Sequence, residues 1–215
     1  MSSYLKERSS LVEAARTIID HGLSHGRTGN ASVRVPAGFL VTPTGCSLES
    51  VLPEELSLVD LSAAHLDGPP PSKEAFLHAA MLRARPDSHA VVHTHSIYAV
   101  AVSCLDLPDG AEALPPLTAY YAMRVERLPL LPYFAPGDDT LGPVAERAAR
   151  EASALLLRNH GPIVAGRDLS EAMDAIEEIE VTARLHLLLS DRAVRPLTDQ
   201  QRRALAGGPS GRGTA

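Results

Sequence analysis

Apolar residues recur at helical spacing in two long stretches of the chain. Residues 4–20 and 169–190 each place an apolar residue every three to four positions, and polar residues fill the rest. The residues of these apolar faces include Leu11, Ala15 and Ile18 in the first stretch and Met173, Ile176 and Ile179 in the second. We predict one helix from each stretch. Gly22 is expected to end the first helix, because glycine accepts the left-handed backbone conformation.

Shorter apolar runs alternate with helical segments along the rest of the chain. Strands are predicted at 31–35, 39–42, 58–61, 90–95, 128–131 and 154–157. Helices are predicted from Ser72 to about residue 84, at 97–104 and at 141–151, whereas 114–124 fits neither pattern. Alternating strands and helices indicate an α/β fold in which helices cover a sheet. The hairpin-like pair of strands near the N-terminus favours a mixed sheet over a purely parallel one.

Composition and charge narrow the class of protein. The 215 residues fit one domain, assigned to 1–205, while Gly, Ser and Pro in 206–215 predict a disordered tail. The formal net charge of -6 argues against a nucleic-acid-binding surface, and no apolar run is long enough to span a membrane. Cys46 and Cys104 are isolated, and the N-terminus does not resemble a signal peptide, so a cytoplasmic protein is expected.

Three histidines form a candidate metal site. His93 and His95 lie two residues apart on a predicted strand, so their side chains point to one face with Cβ atoms about 6–7 Å apart. His160 follows a different apolar strand. Three imidazoles with one open position are typical of catalytic zinc, and nitrogen ligands favour zinc over magnesium or calcium. The alternative is that these are ordinary core or surface histidines. The remaining histidines, including His25 and His78, are assigned structural or exposed positions.

Glu74 has two interpretations. A carboxylate in the first turn of a helix suits the helix dipole, which is a common structural arrangement. It could instead act as a general acid or base, or as a fourth ligand beside the metal. Spacing alone does not choose between these interpretations.

Two loops of small residues are candidate anion sites. The segments 28–30 and 42–45 carry backbone amides that can surround a phosphate group. Ser72 and the start of the following helix add a second group of donors, and Lys73 adds a positive charge. The alternative for each loop is ordinary turn chemistry.

Five short motifs, taken in order, resemble the class II aldolase/adducin-like family. The motifs are Thr28-Gly-Asn-Ala-Ser32, Thr42-Pro-Thr-Gly45, Ser72-Lys-Glu74, His93-Thr-His95 and Asn159-His-Gly161. The resemblance implies a three-layer α/β/α sandwich with a central mixed, largely antiparallel sheet. It also implies a homotetramer with sites at the subunit interfaces.

The resemblance implies roles for individual residues. The implied ligands of Zn²⁺, or of another divalent transition metal, are His93, His95 and His160. Glu74 corresponds to the acid/base carboxylate, which also binds the metal when substrate is absent. The positions that match the family's phosphate-binding residues are Gly29, Asn30, Thr44, Gly45 and Ser72.

Within this family, the segments 114–124 and 128–138 are most similar to the 3-oxo-tetronate 4-phosphate decarboxylases. Lys73 stands where the aldolases tend to carry a small hydroxyl residue, and a lysine suits a substrate carboxylate. The implied reaction is zinc-dependent decarboxylation of a small phosphorylated sugar acid, through a metal-stabilised enediolate, to dihydroxyacetone phosphate and carbon dioxide. Tyr120 from a neighbouring subunit is the expected second proton carrier, with Tyr121 as the alternative.

Two other functions remain open at this stage. An aldolase or 4-epimerase acting on a ketose phosphate would share the metal and phosphate sites. A non-catalytic interaction module, as in the adducin branch, would need no metal site.

Overall fold

Eight strands form one sheet through the middle of the structure, a computed structural model that describes residues 3–206. The strands are β1 (Asn30–Val35), β2 (Gly38–Val41), β3 (Ser57–Val59), β4 (His65–Asp67), β5 (Ala90–His93), β6 (Leu130–Leu131), β7 (Ala154–Leu157) and β8 (Gly161–Gly166). Their order across the sheet is β4-β3-β2-β1-β5-β8-β7-β6. Within the described residues, β6–β7 is the one parallel pair of strands in this sheet, and the other neighbours are antiparallel.

Helices cover both faces of this sheet. The helices are α1 (Leu5–Asp20), α2 (Ala75–Ala84), α3 (Ile97–Ser103), α4 (Ala119–Arg124), α5 (Leu141–Ala149), α6 (Leu169–Leu188) and α7 (Asp199–Ala206). Successive residues of a strand face opposite sides, so Val92 joins one core with α1, α3 and α6, whereas Val91 joins a second core with α2 and α5. The predicted three-layer sandwich with a mixed, largely antiparallel sheet is confirmed.

Several element boundaries differ from the predictions. β5 ends at His93 rather than His95, because the His95 backbone N–H bonds to Ser24 Oγ instead of to a neighbouring strand. α2 begins at Ala75 rather than near Ser72. Ser72 instead forms a turn: its Oγ accepts a hydrogen bond from the Glu74 N–H. β3 is shorter than predicted.

Four elements were not predicted: β4, α4, β8 and α7. β8 contains Pro162, which has no backbone N–H to donate to a neighbouring strand. Proline is therefore unusual in a central strand, and its presence here is not typical of one. The predicted disordered tail, 206–215, lies outside the described residues apart from Ala206, which ends α7. In the part of the chain that is described, no helix combines the length and apolar character that a bilayer crossing requires.

Candidate metal centre and substrate cleft

Three imidazoles converge at the end of β5. His93 is the last residue of this strand, and His95 follows it by two residues. His160 lies in the turn between β7 and β8, where the preceding Asn159 adopts a left-handed conformation (φ 54°). Asparagine tolerates this conformation better than most residues. The pairing of β8 with β5 therefore brings His160 beside the other two histidines.

The ring nitrogens of these histidines form a small triangle. The His93–His95 and His95–His160 Nε2–Nε2 distances are 3.1 Å, and the His93–His160 distance is 3.3 Å. Zinc–nitrogen bonds of about 2.0–2.1 Å at tetrahedral angles would place ligand nitrogens about 3.3–3.4 Å apart. The three nitrogens therefore suit a divalent metal without large rearrangement. We name His93, His95 and His160 the histidine cluster.

Protonation favours metal binding by the histidine cluster. His93 Nδ1 lies 2.9 Å from the Pro162 carbonyl oxygen, which only accepts, so Nδ1 carries the proton and the Nε2 lone pair is free. Burial and the neighbouring His93 lower the pKa of His95 to about 3 and that of His160 to about 4. These two imidazoles are therefore neutral near pH 7, which is the form that binds metals.

Glu74 completes the centre from the opposite side. Its Oε2 lies 3.4 Å from His93 Nε2, and its Oε1 lies 3.3 Å from His160 Nε2. Burial alone would raise the pKa of this carboxyl group. The imidazoles of His93 and His160 and a 2.8 Å hydrogen bond from Asn30 Nδ2 outweigh burial and hold the pKa well below its usual value. Glu74 is therefore an ionised carboxylate beside the neutral imidazoles of His95 and His160.

Two glycines allow the backbone to pack closely around the histidine cluster. A Cβ atom on Gly161 would lie 2.2 Å from the Thr94 carbonyl oxygen, so only glycine fits beside the segment that joins His93 to His95. A Cβ atom on Gly29 would lie 2.5 Å from Ser24 Oγ, the atom that accepts from the His95 N–H. Glycine at 29 also supplies the positive φ of 79°.

A cleft of about 180 Å³ opens from the histidine cluster to the surface. It gathers most of the residues predicted from sequence. The predicted residues that line it are Gly29, Asn30, Thr44, Gly45, Ser72, Lys73, Glu74, His95 and His160. His93 lies behind this lining and is fully buried. A larger cavity of about 610 Å³ beside Arg85 and Arg167 contains none of the clustered ligands, so we place the site in the smaller cleft.

The cleft walls carry donors for an anion. Within residues 3–206, the backbone amides of Gly29 and Gly45 have no hydrogen-bond acceptor, whereas the Thr44 amide bonds to the Pro70 carbonyl. The hydroxyl group is therefore the donor that Thr44 can offer to an anion, and Ser72 offers a hydroxyl group as well. Lys73 is exposed and, among the described residues, forms no ion pair. The site can therefore bind a phosphate or carboxylate next to a metal.

The structure of one chain places the two candidate tyrosines as follows. Tyr120, expected to act in a neighbouring subunit's cleft, is 63% exposed on α4 and does not line the cleft of its own chain, while Tyr121 is 3% exposed in the core. The Asn30 carboxamide is engaged by Glu74 and by His78, which is fully buried. Arg27 was missed, although it directly precedes the Thr28 loop.

Other cleft residues were also missed. They are Cys46, Pro136 and Gly137. Burial raises the pKa of the Cys46 thiol, so this group is neutral at pH 7. Pro136 and Gly137 belong to an Ala-Pro-Gly-Asp stretch, whose only signal in the sequence is that of a turn.

Comparison with known proteins gives a consistent result. Residues 9–187 match the family described as the Class II Aldolase and Adducin N-terminal domain. The chain is 41% identical to a 3-oxo-tetronate 4-phosphate decarboxylase of Haemophilus influenzae, covering 92% of this chain and 94% of that protein. It is 34% identical to an L-fuculose phosphate aldolase of the same organism, covering 84% and 82%.

A solved structure supports the same relationship. The structure of YgbL from Klebsiella pneumoniae matches with a TM-score of 0.89 and 38% identity, covering 93% of this chain and 97% of that one. The histidine cluster, the neighbouring carboxylate and the two small-residue loops of the cleft lie within the matched residues. The chain belongs to the class II aldolase and adducin family.

Proposed function

We propose that this chain is a zinc-dependent decarboxylase that converts a 3-oxo-tetronate 4-phosphate into dihydroxyacetone phosphate and carbon dioxide. The observation that carries the proposal is that one cleft holds the metal ligands, a buried carboxylate, free anion donors and Lys73. A decarboxylase relative that matches over 92% of the chain supports this choice of reaction.

The prediction of an enzyme is confirmed by relatives that are decarboxylases and aldolases. A non-catalytic interaction module has less support, because the three imidazoles and Glu74 converge as a metal-binding group. Such a group has no evident use in a scaffold.

The chemistry requires a negative charge to be stabilised and one proton to be supplied. Decarboxylation breaks the bond between the carboxylate carbon and its neighbour, and the electron pair of that bond stays on the remaining fragment. A divalent metal held by the histidine cluster would act as a Lewis acid and offset the negative charge on the substrate's ketone oxygen. The carbon that loses carbon dioxide then takes up one proton, which comes from solvent.

Glu74 is the group that we assign to this proton transfer. Its carboxylate is ionised and lies beside His93 and His160, at the inner end of the cleft. A carboxylate in this position can take a proton from solvent and pass it to the substrate carbon as negative charge develops there.

Lys73 distinguishes an acid substrate from a neutral one. Its ammonium group has no ion-pair partner among the described residues, and its stem lies next to Gly137, where an added Cβ atom would be 3.6 Å from Lys73 Cβ. We assign the loops around Gly29 and Gly45, together with Ser72, to the phosphate, and Lys73 to the substrate carboxylate. This division gives each of the two substrate anions its own group of donors.

We infer that the active form is a homotetramer with sites between subunits. Exposed apolar side chains occur on α3 and α4, which both pack against α6, and on α6 itself; they include Ile97, Tyr120, Met123, Val181 and Leu188. Tyr120 does not reach the cleft of its own chain, so a role in proton transfer requires the cleft of a neighbour.

An aldolase acting on a ketose phosphate is the second candidate, favoured by the L-fuculose phosphate aldolase relative. Product analysis separates the two reactions. We expect carbon dioxide and dihydroxyacetone phosphate from a 3-oxo-tetronate 4-phosphate, and much slower aldehyde release from L-fuculose 1-phosphate. Aldehyde release as the faster reaction would replace the decarboxylase with the aldolase.

Substitutions at the centre should separate metal binding from proton transfer. His95→Ala is expected to abolish stoichiometric zinc binding, because it removes one of three nitrogen ligands. Glu74→Gln should still bind about one zinc per chain at saturating zinc, with lower affinity, and should lower kcat by roughly 10²–10⁴-fold, the usual contribution of general acid–base catalysis. Metal analysis and steady-state kinetics measure both effects, with His65→Ala on the exposed strand β4 as a control. Full activity of Glu74→Gln would remove Glu74 from the mechanism.

Lys73→Ser should change substrate preference. We expect kcat/KM for the acid substrate to fall by roughly 10–100-fold, the cost of losing a charged hydrogen bond. The value for a neutral ketose phosphate should change little, and Lys73→Arg should retain the preference for the acid. Equal losses on both substrates would refute a carboxylate contact.

A shared site between subunits can be tested by complementation. Tyr120→Phe and Glu74→Gln should each be nearly inactive as pure oligomers. Mixed oligomers formed by subunit exchange should regain activity, because some clefts then combine an intact Glu74 with a neighbour's intact Tyr120. A mixture that stays inactive although exchange is complete, or a monomer that is fully active in sedimentation at assay concentration, would contradict the shared site.

A further inference from the structure

A chain of buried polar groups extends from Glu74 into the protein. Asn30 Nδ2 lies 2.8 Å from Glu74 Oε2, and Asn30 Oδ1 lies 2.5 Å from His78 Nε2. His78 Nδ1 lies 2.7 Å from Ser32 Oγ. All four side chains are buried, and His78 and Ser32 are fully so. We name Ser32, His78, Asn30 and Glu74 the polar chain.

Hydrogen-bonding rules fix the direction of every bond in the polar chain. An ionised carboxylate only accepts, so Asn30 must present its NH₂ group to Glu74. Its carbonyl oxygen then faces His78, which must donate from Nε2. Burial keeps the His78 imidazole neutral, with its pKa lowered to about 3, so Nδ1 accepts from the Ser32 hydroxyl. No group of the polar chain lacks a partner.

The direction of these bonds matters because an asparagine carboxamide can rotate by half a turn. Rotation would place Asn30 Oδ1 against the Glu74 carboxylate and set two negative oxygens side by side. In its Nε2–H tautomer His78 opposes this rotation, because the Nε2–H would then face an NH₂ group and have no acceptor. A rotated carboxamide would also require the imidazole to move its proton to Nδ1 and the Ser32 hydroxyl to become the acceptor. Glu74 is the N-cap residue of α2 and His78 lies one helical turn further on, so the start of one helix positions both side chains that the Asn30 carboxamide contacts.

We propose that His78 is a positioning residue that acts through Asn30 to hold the Glu74 carboxylate against the histidine cluster. This role rests on the proposed function, since it gives Glu74 a place beside a bound metal. The simpler alternative is that His78 is only a well-satisfied core residue, whose loss would destabilise the fold without a specific effect on Glu74.

A double-mutant cycle distinguishes the two roles. Zinc dissociation constants, measured by competition with a chromophoric chelator, would be compared for wild type, His78→Leu, Glu74→Gln and the double variant. We expect His78→Leu to weaken zinc binding by about 10–100-fold, the usual effect of losing a group that orients a metal ligand. In the Glu74→Gln background the same substitution should have little further effect, because the interaction passes through Glu74. An equal loss in both backgrounds would overturn the proposal.

Two further variants are controls that separate a specific effect on zinc binding from a general loss of stability. His78→Gln can still donate to Asn30 Oδ1 and should recover most of the zinc affinity. Met81→Ala removes a fully buried side chain on the same helix, so it should lower the melting temperature while the zinc affinity stays unchanged. A zinc affinity that simply follows melting temperature across these variants would assign His78 a structural role only.

A crystal structure of His78→Leu tests the proposal without metal. We expect the Asn30 side chain, without its partner at Oδ1, to leave the position from which it donates to Glu74, and the Glu74 carboxylate to be displaced from His93 and His160. An unchanged Glu74 position would overturn the inference even if the wild-type protein bound no zinc. The absence of zinc binding by wild type would instead count against the proposed function.

Discussion

The backbone carbonyl of Pro162 accepts the hydrogen bond on which the rest of the site depends. It accepts from the Thr94 N–H at 3.2 Å, which keeps β8 beside the chain leaving β5, and from His93 Nδ1 at 2.9 Å. One oxygen therefore joins strand pairing to the orientation of a candidate metal ligand. Because Gly161 has no side chain, the β7–β8 turn can approach Thr94 closely enough for His160 to reach the same point. The geometry of the histidine cluster is therefore a product of sheet register.

The sequence was sufficient for the fold class and for most of the residues of the cleft. Periodicity located α1 and α6, and the His93-Thr-His95 pattern suggested two ligands on one face. Strand geometry alone does not explain how these two histidines come together. β5 ends at His93, and His95 is positioned by a hydrogen bond from its backbone N–H to Ser24 Oγ. Such a contact joins residues 71 positions apart, and a local pattern contains no information about it.

Other features were hidden for equally specific reasons. Pro162 made the central strand β8 hard to predict, because proline can pair with a neighbouring strand only through its carbonyl oxygen. His78 looked like one of several ordinary helix histidines, because its importance depends on Asn30 and Ser32 lying opposite it on β1. The role of Tyr120 rests on resemblance alone, and one chain does not bring it to the cleft. Long-range pairing, rather than local propensity, decided each of these positions.

The two halves of the cleft are built from different parts of the chain. The histidine cluster is held by the β5–β8 pairing, whereas Lys73 lies in a solvent-exposed turn before α2 and has Gly137 beside its stem. Lys73 is exposed and lies apart from the strand pairing that positions the histidine cluster. With the role proposed for Lys73, single replacements at the opening of the cleft could change the preferred substrate during evolution while the histidine cluster stays intact. A family containing both decarboxylases and aldolases is what this separation of parts would be expected to produce.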